Sequence, residues 1–341
     1  MTLLFDKHRP IASPALAPAD DDFEQLNDSR PELTIGLINN MPDSALKATE
    51  RQFSRLLQAV AHDVRIRLHC FTLRSVQRSS SARVHVDRDY RDISDLDRLS
   101  IDGLIVTGAE PLAQTLPREP YWRELTEVID WASSHTRSTI WSCLAAHAAV
   151  LHLDGIERHR LAEKCSGIYE CLAVTDDWLT RNGPAPFKVS HSRFNELRES
   201  ELAAAGYQIL TRSDEAGVDV FVRQGQSRFV FFQGHPEYDA LSLQREYMRD
   251  VARFLSGERD DFPRIPAGYF DAETEQVLSS FERRAKTVRD PTLAAELPGL
   301  TLRPDIAAGN AATVLFRNWV GFLADGARTT LPAAWASRPA V

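Results

Sequence analysis

The chain has 341 residues, of which 43% are hydrophobic and 26% charged, and its formal net charge is −8. That is ample material for a core, in one large domain or two modest ones, and it excludes the broad basic surface a nucleic-acid partner requires. No apolar run approaches the roughly eighteen residues of a membrane helix. The opening Met-Thr-Leu-Leu-Phe-Asp-Lys-His lacks the basic start and apolar centre of a signal peptide, so a cytoplasmic location is expected. Cysteines 70, 143, 165 and 171 show no C-x-x-C spacing, which argues against a disulfide framework and against structural zinc.

In chain order, residues 1–30 read as a loosely ordered arm, able to cover a neighbouring subunit. Leu33–Ile38 is the first strand. Asn39-Asn-Met-Pro42 is a turn, and Asp43 or Ser44 caps a helix running to about Val60. Val64–Leu73 alternates as a second strand, and the Arg- and Asp-rich stretch 76–98 is expected to be an exposed excursion. Gly103–Thr107 is a third, buried strand, ending in Gly108-Ala-Glu-Pro111. A helix from about Pro120 to His135 carries Tyr121, Trp122, Leu125, Val128, Ile129 and Ala132 on one stripe. Strands and helices alternating at this spacing imply an α/β fold, with a mostly parallel sheet covered on both faces. Further on, Tyr207–Arg212, Val218–Arg223 and Arg228–Gln233 read as an antiparallel extension, and Ser242–Leu255 as a helix. The division expected is an arm (1–30), a catalytic domain (31–257) and an extension (258–341). The extension carries one docking helix near 311–323, striped with Val314, Leu315, Trp319, Val320 and Leu323.

The chemistry starts at Ser138-Thr-Ile-Trp-Ser-Cys143, a buried strand followed by the small-residue helix Leu144–Leu151. A cysteine at such a turn faces the helix N-terminus, where backbone N–H groups favour a thiolate. An isolated cysteine is more often core. The second half of the argument is Arg228-Phe-Val-Phe-Phe-Gln-Gly-His235-Pro-Glu237, which sets an imidazole past a strand end with a carboxylate on the same side. Cys143, His235 and Glu237 thus read as nucleophile, base and orienter. The amides of Leu144 and of Ala109, in the Thr107-Gly-Ala109 turn, are candidate oxyanion donors. His147, one turn along, is a rival base that the helix should hold behind the sulfur. Cys165 and Cys171 read as packing residues. Lys164, the Ser190-His-Ser192-Arg193 segment and Arg249 offer cations and hydroxyls suited to an amino-acid carboxylate.

With these motifs placed, the chain resembles the homoserine O-succinyltransferase family, whose fold is similar to that of class I glutamine amidotransferases (three layers, flavodoxin-like). The resemblance runs through Gly36-Leu-Ile-Asn-Asn-Met-Pro42, Asp102–Ala109, Tyr121-Trp122, Ser138–Cys143, Glu163–Glu170, His191–Arg193, Gly234–Asp239 and Phe316–Trp319. It implies that Cys143 takes an acyl group from acyl-CoA and passes it to the homoserine hydroxyl, on the way to methionine. His235 would be the base and Glu237 its orienter, and Lys164, Ser192 and Arg249 would bind substrate. Leu112 stands at the family's donor-selecting position. It lacks the acidic charge that implies acetyl, but it is bulkier than the glycine that implies succinyl. No cofactor is implied beyond acyl-CoA as co-substrate, no metal is needed, and a homodimer is expected. Succinyl transfer is the favoured reading. Acetyl transfer, a serine acceptor and a glutaminase-type amidotransferase are the alternatives, and a non-catalytic protein with a relic site is the last. One departure stands out: the turn carries Trp141 and Ala145 where nucleophile elbows usually carry glycine.

Overall fold

The computed structural model describes residues 3–5, 30–297, 300–303 and 310–328. Ten strands form one sheet: β1 (Leu3–Phe5), β2 (Glu32–Ile38), β3 (Arg65–Phe71), β4 (Gly103–Val106), β5 (Ser138–Ser142), β6 (His159–Ala173), β7 (Phe187–Glu196), β8 (Gln208–Ser213), β9 (Gly217–Arg223) and β10 (Arg228–Phe232). Their order is β1-β3-β2-β4-β5-β10-β9-β8-β6-β7. From β1 to β10 every pairing is parallel, and from β10 to β7 every pairing is antiparallel. The α/β class and the antiparallel extension are both present. Eight helices accompany them among the described residues: α1 (Asp43–Val60), α2 (Ser80–Asp89), α3 (Trp122–His135), α4 (Leu144–Asp154), α5 (Glu199–Ala204), α6 (Ser242–Leu255), α7 (Ala272–Thr287) and α8 (Asn310–Arg328).

Strand periodicity builds the layers. Ile105, Ile140, Val230 and Phe232 point to one face with α1 and α8, while Leu104, Val106, Trp141, Phe229 and Phe231 point to the other with α3 and α4. Both faces are apolar because both are covered, which is why these strands read as near-continuous hydrophobic runs. The C-terminal helix docks on the sheet, as expected. Phe316 meets Phe53 of α1, Trp319 Nε1 donates to Ser138 Oγ at 3.0 Å, and Arg137 donates to the Leu323 carbonyl.

Four expectations are corrected. Residues 76–98 are folded into α2 and a following turn of helix, with about half of their side chains exposed as expected and a few buried. Helix α2 buries His85, and the stretch also buries Tyr90 and Leu96. The reason is polar: His85 Nε2 and Tyr90 Oη both reach Glu50 of α1, at 2.9 and 3.2 Å, so a charged stretch is held inward by a buried carboxylate. Part of the N-terminal arm is strand β1, paired in parallel with β3, and residues 1–2 and 6–29 lie outside the described residues. Helix α1 has Pro42 at its N-cap, and Asp43 instead accepts from the Ser79 amide, tying this helix start to α2. The C-terminal extension holds α7 as well as α8. Its Leu278, Phe281 and Ala285 share a core with Leu243, Tyr247, Val251 and Phe254 of α6.

Gly103 is the point where α8 meets the sheet: a Cβ there would lie 2.5 Å from Leu323 Cδ1 and 2.8 Å from Trp319 Cζ2. Trp319 is fully buried and has no room to yield. Gly103→Ala is expected to lower unfolding free energy by about 1–3 kcal/mol, read from the denaturant midpoint. An unchanged midpoint would contradict the docking.

Candidate active site

The nucleophile elbow forms without its usual glycines. Cys143 sits between β5 and α4 at φ 52°, ψ −110°, a left-handed conformation that costs a non-glycine residue on the order of 1–3 kcal/mol. Its surroundings hold it there. The Cys143 N–H donates to the Phe232 carbonyl at 2.8 Å, and Trp141 is fully buried on the face behind. Strand register then decides what the sulfur meets. Ser142 of β5 pairs with Phe232 of β10, so the Gly234-His235 turn leaves the sheet beside Cys143 although 92 positions (235 − 143) separate them in sequence. On the other side Val106 of β4 pairs with Trp141. That brings Gly108 against Leu144: a Cβ on Gly108 would lie 2.7 Å from Leu144 Cβ and 3.1 Å from its amide nitrogen. Only glycine fits. The Leu144 and Ala109 amides donate to no acceptor among the described residues.

His235 is buried, and its Nδ1 lies 2.8 Å from Glu237 Oε1, also buried. Burial alone would lower the imidazole's pKa. The Glu237 carboxylate, then the charge of Cys143 and a hydrogen bond to it, instead hold it well above the ordinary value. His235 is thus engaged by the carboxylate at Nδ1, and the charge of its imidazole is coupled to that of Cys143. Its backbone is fixed too: its N–H donates to the Ser190 carbonyl at 2.7 Å, and the ring stacks on Tyr238 with centroids 4.2 Å apart. Behind it lie Cys171, His191 and Asp219, buried and close enough for a metal-like grouping. Asp219, however, already accepts from the Gly234 amide and the Thr211 hydroxyl, and Arg193 adjoins His191. Their polar atoms act as a packing layer for the loop.

His147 is turned into the core. Its Nε2 lies 3.2 Å from Gln233 Oε1 in the core, and burial pushes its pKa down to about 3. Cys171 is buried and Cys165 half-buried, as packing residues would be.

The remaining candidates converge on α6 from β6 and β7. Lys164 Nζ lies 3.0 Å from Asp250 Oδ2 and 3.5 Å from Glu246 Oε2. The Ser192 hydroxyl donates to Glu246, Tyr238 Oη donates to its other oxygen at 2.5 Å, and Arg249 donates to Asp250 at 3.1 Å. Burial would raise the Glu246 pKa, but Lys164 and the two hydroxyls hold it below the ordinary range. Asp250 is held down likewise by Lys164 and Arg249 against its own burial. Reading the sequence for cations missed these two carboxylates. The i, i+4 spacing of Glu246 and Asp250 on an amphipathic helix was the available signal. Leu112 lies 70% exposed, because its amide and that of Ala113 both donate to the buried Glu119 carboxylate, at 3.0 and 2.9 Å. Its bulk is turned outward.

Comparison with known proteins decides the kinship. The family model described as homoserine O-succinyltransferase matches residues 6–328. The chain belongs to this family. A homoserine O-succinyltransferase from Bradyrhizobium japonicum is 65% identical over 327 residues, covering 96% of this chain and all of the relative. One from Rhodopseudomonas palustris is 57% identical over 330 residues, covering 95% and 99%. Among solved structures, a glutamine amidotransferase from Thermotoga maritima aligns over 86% of this chain and 98% of its own with a TM-score of 0.48 at 12% identity. Among the described residues no helix is long and apolar enough to cross a membrane.

The position of His147 gives a pH test. Its folded-state pKa lies below the unfolded value of about 6.5, so the unfolded chain takes up the proton first. Stability is therefore full above about pH 6.5 and is lost as pH falls toward 3. His147 alone should account for about 2 kcal/mol lost between pH 7 and pH 5. Urea midpoints at the two pH values should differ less in His147→Gln than in the parent. Equal slopes would contradict the burial of a neutral imidazole.

Proposed function

We propose that this chain is a homoserine O-succinyltransferase of methionine synthesis, working by double displacement through Cys143. Three observations support the reading: the buried His235–Glu237 pair whose charge is coupled to Cys143, the free Leu144 and Ala109 amides, and membership of a family whose relatives are named for that activity. The first is the one on which it stands.

In the first half-reaction the Cys143 thiolate attacks the thioester carbonyl of succinyl-CoA, and the oxyanion forms opposite the Leu144 and Ala109 N–H groups. The carbon–sulfur bond to CoA breaks, and the departing CoA sulfur takes the proton held on His235 Nε2. In the second, His235 removes the proton from the homoserine hydroxyl as that oxygen attacks the succinyl-cysteine. Collapse of the tetrahedral adduct returns the Cys143 thiolate beside the imidazolium and frees O-succinylhomoserine. Throughout, Glu237 fixes which imidazole nitrogen faces the sulfur. Lys164 and Arg249 meet the amino-acid carboxylate, and Ser192 helps orient it. Glu246 and Asp250, opposite those cations, supply the counter-charge for its ammonium. No chemical activation of the donor is required, since a thioester is already activated.

Intact-protein mass spectrometry after brief mixing with succinyl-CoA, without homoserine, should show a gain of one succinyl group. Adding homoserine should remove it, and Cys143→Ala should never show it. Free CoA released with no protein adduct, or an adduct that survives Cys143→Ala, would overturn the covalent route.

A further inference from the structure

The strand exit that carries His235 is gripped at three successive amides. Asp219, on β9 opposite that exit, takes two of them. Its main-chain carbonyl accepts from the Gln233 N–H at 2.9 Å, and its side-chain Oδ1 accepts from the Gly234 N–H at 3.2 Å. The third amide, of His235 itself, donates to the Ser190 carbonyl of β7 at 2.7 Å. Asp219 is 1% exposed, and a carboxylate so buried is costly unless its oxygens are used. Its Oδ2 accepts from the Thr211 hydroxyl at 3.0 Å. The two grips are also joined across the loop. His191, fully buried and next in the chain to Ser190, places Nε2 3.5 Å from Asp219 Oδ1, while its Nδ1 accepts from Arg193 Nε at 3.4 Å. Burial lowers the pKa of this imidazole well below the ordinary value, so the ring is neutral and its one proton sits on Nε2, facing the carboxylate. Gly234 is enclosed by the same groups: a Cβ there would lie 2.6 Å from Val189 Cγ1, 2.7 Å from Asp219 Oδ1 and 3.0 Å from His191 Cε1.

We propose that Asp219 is a positioning residue for the transfer: its carboxylate fixes where the His235 backbone stands, as Glu237 fixes how the ring is turned. This role rests on the acyl-transfer reading above and is exerted through Gly234, not on the reacting atoms. Strand β10 ends at Phe232, so the regular ladder stops short of the imidazole. Past Gln233 the chain turns, and a main-chain carbonyl of β9 no longer follows it. A side-chain oxygen does, and it extends the hold of β9 by one more amide, to the residue directly before His235. The Ser190 carbonyl then holds His235 from the β7 side, and the His191–Asp219 approach keeps the two holds in register. Without the carboxylate the Gly234 N–H is buried with no acceptor, and the loop relaxes toward one elsewhere. A catalytic group displaced by about 1 Å in this way loses on the order of 10²-fold in rate.

The test compares the parent with Asp219→Ala and Asp219→Asn on three readouts: the urea midpoint, kcat per folded molecule for CoA release from succinyl-CoA and homoserine, and hydrogen exchange of the peptide carrying the Gly234 and His235 amides. Asp219→Ala should lose on the order of 10²-fold in kcat and expose those amides to exchange. Asp219→Asn keeps an oxygen for the Gly234 N–H, so it should stay within about tenfold of the parent and keep the protection. A lowered midpoint in Asp219→Ala with parental kcat per folded molecule is what packing alone predicts, and it would overturn the proposal. So would an Asp219→Asn as slow as Asp219→Ala. Should Asp219→Ala not fold, Gly234→Ala pushes the same amide off the carboxylate and decides the matter: a similar loss supports the proposal, and parental kcat overturns it. A parent that releases no CoA would overturn the acyl-transfer reading, and the proposal with it; a working parent with an unimpaired Asp219→Ala would overturn the proposal alone.

Discussion

The site depends on one strand pairing. Parallel registry of β5 with β10, closed by the hydrogen bond from the Cys143 amide to the Phe232 carbonyl, fixes where two distant segments leave the sheet. Parallel strands place their carboxyl ends together, and in a right-handed α/β sheet those ends open into a crevice that helices cannot fill. Cys143 and His235 need no long loops to meet, because each lies within three residues of its strand's last member. A slip of one residue in this pairing would turn Phe231 and Trp141 to the wrong faces, so the packing of both cores defends the geometry of the site.

Around that pairing the protein accepts several local costs. Cys143 holds a left-handed conformation without glycine, Gly108 is forced to be glycine by contact with Leu144, and His235 is buried although its imidazole carries charge readily. Each is offset by something adjacent: the strand hydrogen bond, the close packing of the Gly108 turn on Leu144, and the Glu237 carboxylate. The cations and carboxylates where β6 and β7 meet α6 follow the same rule. Lys164, Arg249, Glu246 and Asp250 are paired with one another, which holds these partly buried charges in place.

Much of this was legible in the residues. The strands with continuous β-branched and aromatic runs, the Cys143 turn and the Gly-His-Pro-Glu loop carry their own periodicity and breakers, and the structure has them where the patterns put them. Residues 76–98 were not legible, because the partner that buries His85 and Tyr90 is Glu50, some thirty-five to forty positions away (85 − 50 and 90 − 50). Local charge density says solvent; a distant buried carboxylate says otherwise. Helix α7 was hidden for a related reason. It is polar on most of its surface and buries only a narrow stripe against α6, so composition made its segment look like linker. The orientation of Leu112 was beyond reach as well, since it follows from the Glu119 carboxylate gripping two backbone amides.

The central claim, that the Cys143 sulfur works in company with the His235 imidazole, is tested most directly by the chemical reactivity of the thiol. The rate of Cys143 alkylation by iodoacetamide at neutral pH, followed by peptide mass, should be at least about tenfold higher in the parent than in His235→Asn. Cys165, half-buried on β6, should react alike in both. Equal Cys143 rates in the two proteins would contradict the account.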